Sequence, residues 1–171
     1  MRKGKMRFLP VVVVASLALA SATPQIAAAN LTASDPDDSV TLDMSSVAST
    51  VSGTPTRIRF RADFWDPIRW IRDPVVQFFV DSSGGDHLDR VVLFDIRHGR
   101  KVCLLYDRAG RLDARLGAPH VGPDHVSCSL RRSLLPTDGT AIRWRATSIY
   151  RDDVPGPAPD KAPNAGWFAH V

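Results

Sequence analysis

Pro74–His98 reads PVVQFFVDSSGGDHLDRVVLFDIRH. Two β-branched and aromatic runs, Val75–Val80 and Val91–Ile96, flank a polar connection with Gly84-Gly85 and the carboxylates Asp81, Asp86 and Asp89. Runs of this length and residue type, bounded by a glycine-containing polar segment, predict a β-hairpin with a long acidic tip. Both faces of the first arm are apolar (Val76, Phe78 and Val80 against Val75 and Phe79), which predicts an interior strand.

The chain on either side reads as further strands. Arg57–Phe64 has strict period two, with Ile58, Phe60, Ala62 and Phe64 on one face and Arg57, Arg59, Arg61 and Asp63 on the other. That pattern predicts a half-buried strand with a mostly cationic outer row. Ala141–Arg151 alternates in the same way, with Ile142, Trp144, Ala146 and Ser148 opposing Arg143, Arg145 and Thr147. Strands are also expected at Val40–Val51, Lys101–Arg108, Arg111–Leu116 and His125–Arg131, with an edge strand at Gly166–Val171. Asn30–Ser39 reads as an extended lead-in, Gly117–Asp124 as a loop, and the proline-rich Asp152–Pro163 as irregular. Eight or nine short strands without a helical period predict a single all-β domain, an antiparallel β-sandwich over residues 30–171.

Residues 1–29 read as a secretory signal peptide. Arg2, Lys3, Lys5 and Arg7 precede the apolar Phe8–Ala20, and Ala27-Ala28-Ala29 offers a cleavage site, with Ala20-Ser21-Ala22 an earlier alternative. An apolar run of 13 residues falls short of the roughly 20 that a bilayer span needs. A secreted, extracellular protein with no membrane span after cleavage is therefore expected. The signal segment holds four basic residues and no acidic one, which leaves 18 of each in the remainder. A net-neutral chain gives no electrostatic reason to expect nucleic acid as a partner.

The two cysteines, Cys103 and Cys128, lie in the exported part. In an oxidising compartment such a pair is expected to form one disulfide. It would close a loop of about 26 residues, with roughly 3 kcal/mol of stabilisation.

Three sets of residues carry candidate chemistry. Asp81, Asp86 and Asp89, at the hairpin tip, are the metal candidates, because Ca²⁺ takes oxygens from alternate positions of a glycine-containing turn. The spacing departs from the standard acidic calcium loop at Ser83 and Gly85, and no glutamate closes it. The competing expectation is a solvated hairpin loop with no cofactor. His120 and His125 share a loop with Asp124, but their spacing fits no metal motif. Among the aromatics, Trp144 falls on a core face, whereas Trp65 and Trp70 flank a proline-containing connection and are candidates to stack on sugar rings. No G-x-S-x-G elbow is present and no cysteine is left over as a nucleophile, so an enzyme is not expected.

The succession DPDD at Asp35–Asp38, Leu42-Asp43, RIRFRADFW, VVQFFVDSSGGD and KVCLLYDR followed by GRL resembles small secreted bacterial β-sandwich proteins of mostly unassigned function. These are similar in pattern to DOMON-type and family 9 carbohydrate-binding sandwiches, over roughly Asp35–Val171. The resemblance implies sugar, haem or calcium binding in different members, and no Met or His here matches a haem ligand. The leading expectation is a secreted, non-catalytic binding module with an extracellular glycan or envelope protein as partner and carbohydrate as candidate ligand. The alternative is a structural or protein-interaction domain with no small-molecule site.

Overall fold

The computed structural model describes residues 30–38, 41–52, 56–83, 88–136, 142–153, 156 and 158–170. The expected signal peptide, and Asp86 at the hairpin tip, lie outside the described residues.

The chain folds into two antiparallel sheets. The smaller sheet is formed by β1 (Asn30–Ser34), β2 (Met44–Ser52), β3 (Arg57–Phe64), β8 (His120–Val121) and β9 (His125–Arg131), in the order β1-β2-β3-β9-β8. The larger contains β4 (Pro74–Asp81), β5 (Arg90–Arg97), β6 (Arg100–Asp107), β7 (Leu112–Arg115), β10 (Ile142–Tyr150) and β11 (Asp160–Ala162), in the order β11-β10-β4-β5-β6-β7. A last strand, β12 (Phe168–His170), pairs with β10 at Ile142–Trp144, while β11 pairs with it at Ala146–Ser148.

The expected hairpin β4–β5 sits inside the larger sheet, with β10 on the other side of β4. Period two decides which side chains meet between the layers. Ile58, Phe60, Ala62 and Phe64 of β3 are buried against Val76, Phe78 and Val80 of β4, Val92 and Phe94 of β5, and Ile142, Trp144 and Ala146 of β10. The Phe60 ring lies 5.4 Å from that of Phe78 and 5.5 Å from that of Trp144, so three aromatics from both sheets form the centre of the core. On the outer side of β3, Arg57 and Arg59 are exposed and Arg61 pairs with Asp63, the cationic row expected from the sequence.

The disulfide Cys103–Cys128 forms with a Cα–Cα distance of 5.8 Å. It links β6 of the larger sheet to β9 of the smaller one, so it is a cross-link between the layers.

Twelve strands are present among the described residues, against the eight or nine expected. The additional ones are short: β1 in the lead-in, β8 in the Gly117–Asp124 loop and β11 in the proline-rich stretch. Each lies at a sheet edge with a single neighbour, where pairing and not side-chain alternation produces the strand. The expected first strand starts at Met44, after the turn at Thr41 and Leu42, and the expected C-terminal strand is shortened to Phe168–His170.

Candidate functional site

Three connections converge at one end of the sandwich. They are the β1–β2 connection, which carries Asp35–Asp38 and Asp43, the β3–β4 connection around Trp65–Asp73, and the end of β10 with the 3₁₀ turn Arg151–Asp153. Between them lies a cleft of about 190 Å³, lined by Asp37, Asp43, Trp65, Asp66, Arg69 and Tyr150 among others.

The β3–β4 connection is fixed at several points. Ile68 is buried, and its N–H donates to the Pro123 carbonyl at 2.6 Å. The Trp65 N–H donates to the Asp43 carbonyl at 3.2 Å, and the Arg69 N–H to the Tyr150 hydroxyl at 2.9 Å. The Arg72 guanidinium lies 4.5 Å from the centre of the Tyr150 ring and pairs with Asp152 at 3.0 Å and with Asp153. Thr41 completes the wall by donating its hydroxyl to Asp153 at 2.6 Å. Charged groups so tied form a wall, not ligand-binding arms. Among the described residues, the side chains of Asp37, Asp66 and Arg69 form no hydrogen bond or ion pair inside the fold, which leaves an acid–base set facing solvent at the cleft. Trp65 stands beside them with 53% of its surface exposed.

The two expected sugar-stacking tryptophans therefore part company. Trp65 lines the cleft. Trp70 is half-buried, packs edge-on against Phe94 at 6.2 Å, and carries the Lys101 ammonium 3.3 Å from the centre of its ring. Trp144 lies in the core, and Trp167 is half-buried beneath the Arg145 guanidinium at 4.9 Å.

At the hairpin tip the described carboxylates have partners within the fold. Asp81 is 0% exposed, and the Arg143 guanidinium donates to its Oδ2 from Nε at 3.1 Å and from the terminal nitrogen. Asp89 accepts from the backbone N–H groups of Ser82 (2.8 Å) and Ser83 (2.9 Å) and from both hydroxyls. Burial pushes the Asp89 carboxyl up, but these donors outweigh it and hold the group below the usual carboxylate range. His120 and His125 do come together, with rings stacked at 5.6 Å and Asp124 3.1 Å from His125 Nδ1.

A carboxylate cluster that the sequence reading did not assemble lies next to the cleft. One oxygen each from Asp38, Asp43 and Asp160 lies within 4.8 Å of the others. Asp160 reaches this place because β11 lies on the edge of β10. Its two oxygens accept the Met44 N–H at 2.7 Å and the Lys161 N–H at 2.8 Å, and Asn164 donates to Asp38 at 2.9 Å. Asp35 is buried beside them, and its carboxyl is raised to about 7 by burial and by the charges of Asp160, Asp38 and Asp43. Burial also raises Asp160, against the pull of its two N–H donors.

These shifts set a pH dependence. A carboxyl raised in the folded state holds its proton more tightly there than in the unfolded chain. Its contribution to stability is full below the ordinary value of 3.8 and is lost as pH rises through about 7. In cation-free buffer the melting temperature is expected to fall between pH 5 and pH 8, and the Asp35→Asn variant to flatten that slope. A melting temperature independent of pH over this range in the wild-type chain would contradict the reading.

No family model, curated protein or solved structure matches the chain. Among the described residues, no helix is long and apolar enough to cross a membrane.

Proposed function

We propose that the protein is an exported, non-catalytic binding module whose ligand site is the Trp65 cleft, and that the ligand is a carbohydrate. The observation that carries this reading is the pairing of one exposed indole with the Asp37, Asp66 and Arg69 side chains, which have no partner among the described residues, at the rim of a fixed cleft. A flat apolar ring suits the C–H face of a pyranose, and carboxylate and guanidinium groups can pair with its hydroxyls. The signal-like N-terminus and the disulfide support the exported part of the reading. The test is a glycan array on the mature chain. Binding to a defined glycan class is expected, with at least tenfold loss in Trp65→Ala and little change in Trp70→Ala. Equal loss in both variants, or none in Trp65→Ala, would overturn the assignment to this cleft, and hydrolysis of the bound glycan would overturn the non-catalytic part.

A protein-interaction reading has one observation in its favour. The outer face of the larger sheet carries a shallow apolar depression of about 320 Å³, lined in part by Leu88, Val91, Leu93 and Tyr106. Apolar surface of this kind is characteristic of contact sites between proteins. A folded chain that binds no glycan would move the weight to that face.

A further inference from the structure

We propose that Asp38, Asp43 and Asp160, with Asp35 behind them, form a binding site for a Ca²⁺-class divalent cation that joins the two sheets beside the cleft.

The first ground is the donor set. Three carboxylate oxygens lie within 4.8 Å of one another. A Ca²⁺ ion bound at 2.3–2.6 Å holds ligand oxygens up to about 5 Å apart, so one ion can be shared by all three. No histidine or cysteine belongs to the set, which favours a hard cation over zinc or copper.

The second ground is Asp35. It is 5% exposed, and its Oδ2 is buried with no hydrogen-bond partner among the described residues. An ionised oxygen without a donor in such a place is strongly disfavoured unless a proton or a cation satisfies it. The charges that act on it are those of Asp160, Asp38 and Asp43, and among the described residues no Lys or Arg pairs with Asp35, Asp38 or Asp160. A solvated acidic surface would not bury one of its members unpartnered.

The topology gives the site a structural consequence. Asp35, Asp38 and Asp43 belong to the β1–β2 connection of the smaller sheet, and Asp160 to β11 of the larger. The Asp160–Met44 hydrogen bond already joins these layers. A cation would tie them more strongly and fix Asp43, which also lines the cleft. The site stands apart from the identity of the cleft ligand, because no tryptophan takes part in it.

Calorimetric titration of the mature, disulfide-bonded chain with CaCl₂ at pH 7.5, and melting curves in EDTA and in 5 mM Ca²⁺, test the proposal. One ion per chain is expected, with Kd at or below about 1 mM, as in extracellular calcium modules. The melting temperature is expected to rise by roughly 3 °C or more in 5 mM Ca²⁺. Affinity should fall at least tenfold in Asp38→Asn, an exposed position that leaves the core intact, and in Asp35→Asn. Asp89→Asn should bind as the wild type does. No heat and no melting shift, loss in Asp89→Asn with Asp38→Asn unaffected, or equal affinity for Mg²⁺ would each overturn the proposal.

Discussion

Phe60→Ala is expected to lower the free energy of unfolding by about 4 kcal/mol, within the range for deleting a buried phenylalanine. The side chain is fully buried and meets Phe78 of β4 and Trp144 of β10, so its removal empties the layer between the sheets. The walls of the resulting cavity are strands in register with their neighbours, Phe60 opposite Cys128 and Trp144 opposite Val80, which limits collapse into the space. For a chain of this length such a loss corresponds to roughly 15 °C in melting temperature. Arg59→Ala, on the outer face of the same strand, should change it by less than about 0.5 kcal/mol. Thermal melts of the two variants read this contrast directly. Similar losses in both would mean that the two faces of β3 are not distinguished as described.

Reduction of the Cys103–Cys128 disulfide is expected to cost about 3 kcal/mol, from the conformational freedom restored to the unfolded chain. Both sulfur-bearing residues are buried, so the bond resists reductant in the folded state and must be opened under denaturing conditions. Urea unfolding of the reduced and oxidised chains should differ in midpoint, with the reduced form roughly 10 °C less stable in a parallel thermal melt. The oxidised chain should yield no titratable thiol after unfolding. Coincident unfolding curves would show that the link between β6 and β9 constrains nothing.

The fold was readable wherever alternation ran for seven or more residues. β3, β9 and β10 lie where their period-two alternation puts them, because each has one face against the facing sheet and a register error would bury arginine, and β4 lies inside its sheet as its two apolar faces predict. β1, β8 and β11 run for five, two and three residues. Over so few positions no period exists to be read, and their strand character comes from the one neighbour each pairs with.

The site followed the same division. The exposure of Trp65 was readable from its place beside Pro67, at the end of a clear strand. Trp70 carries the same local signal, and only the packing of Phe94 and Lys101 separates the two. The carboxylates at Asp35–Asp38 stood out as a group, but their partner Asp160 is more than 115 residues away, in a segment with no pattern of its own. It arrives through the pairing of β11 with β10, which sequence periodicity does not encode. The tip carboxylates Asp81 and Asp89 look equally available in the sequence, and there the structure supplies them with Arg143, Ser82 and Ser83 as partners.

The most direct test of the carbohydrate-binding reading is a titration of the ¹⁵N-labelled mature chain with the best glycan from the array, followed through the four indole N–H resonances. The Trp65 resonance should shift with ligand concentration along a single saturable curve, together with the backbone amides of Asp66 and Arg69, while the core resonance of Trp144 stays in place. A saturable shift confined to Trp70 or Trp167, with Trp65 unmoved, would contradict the assignment of the cleft as the ligand site.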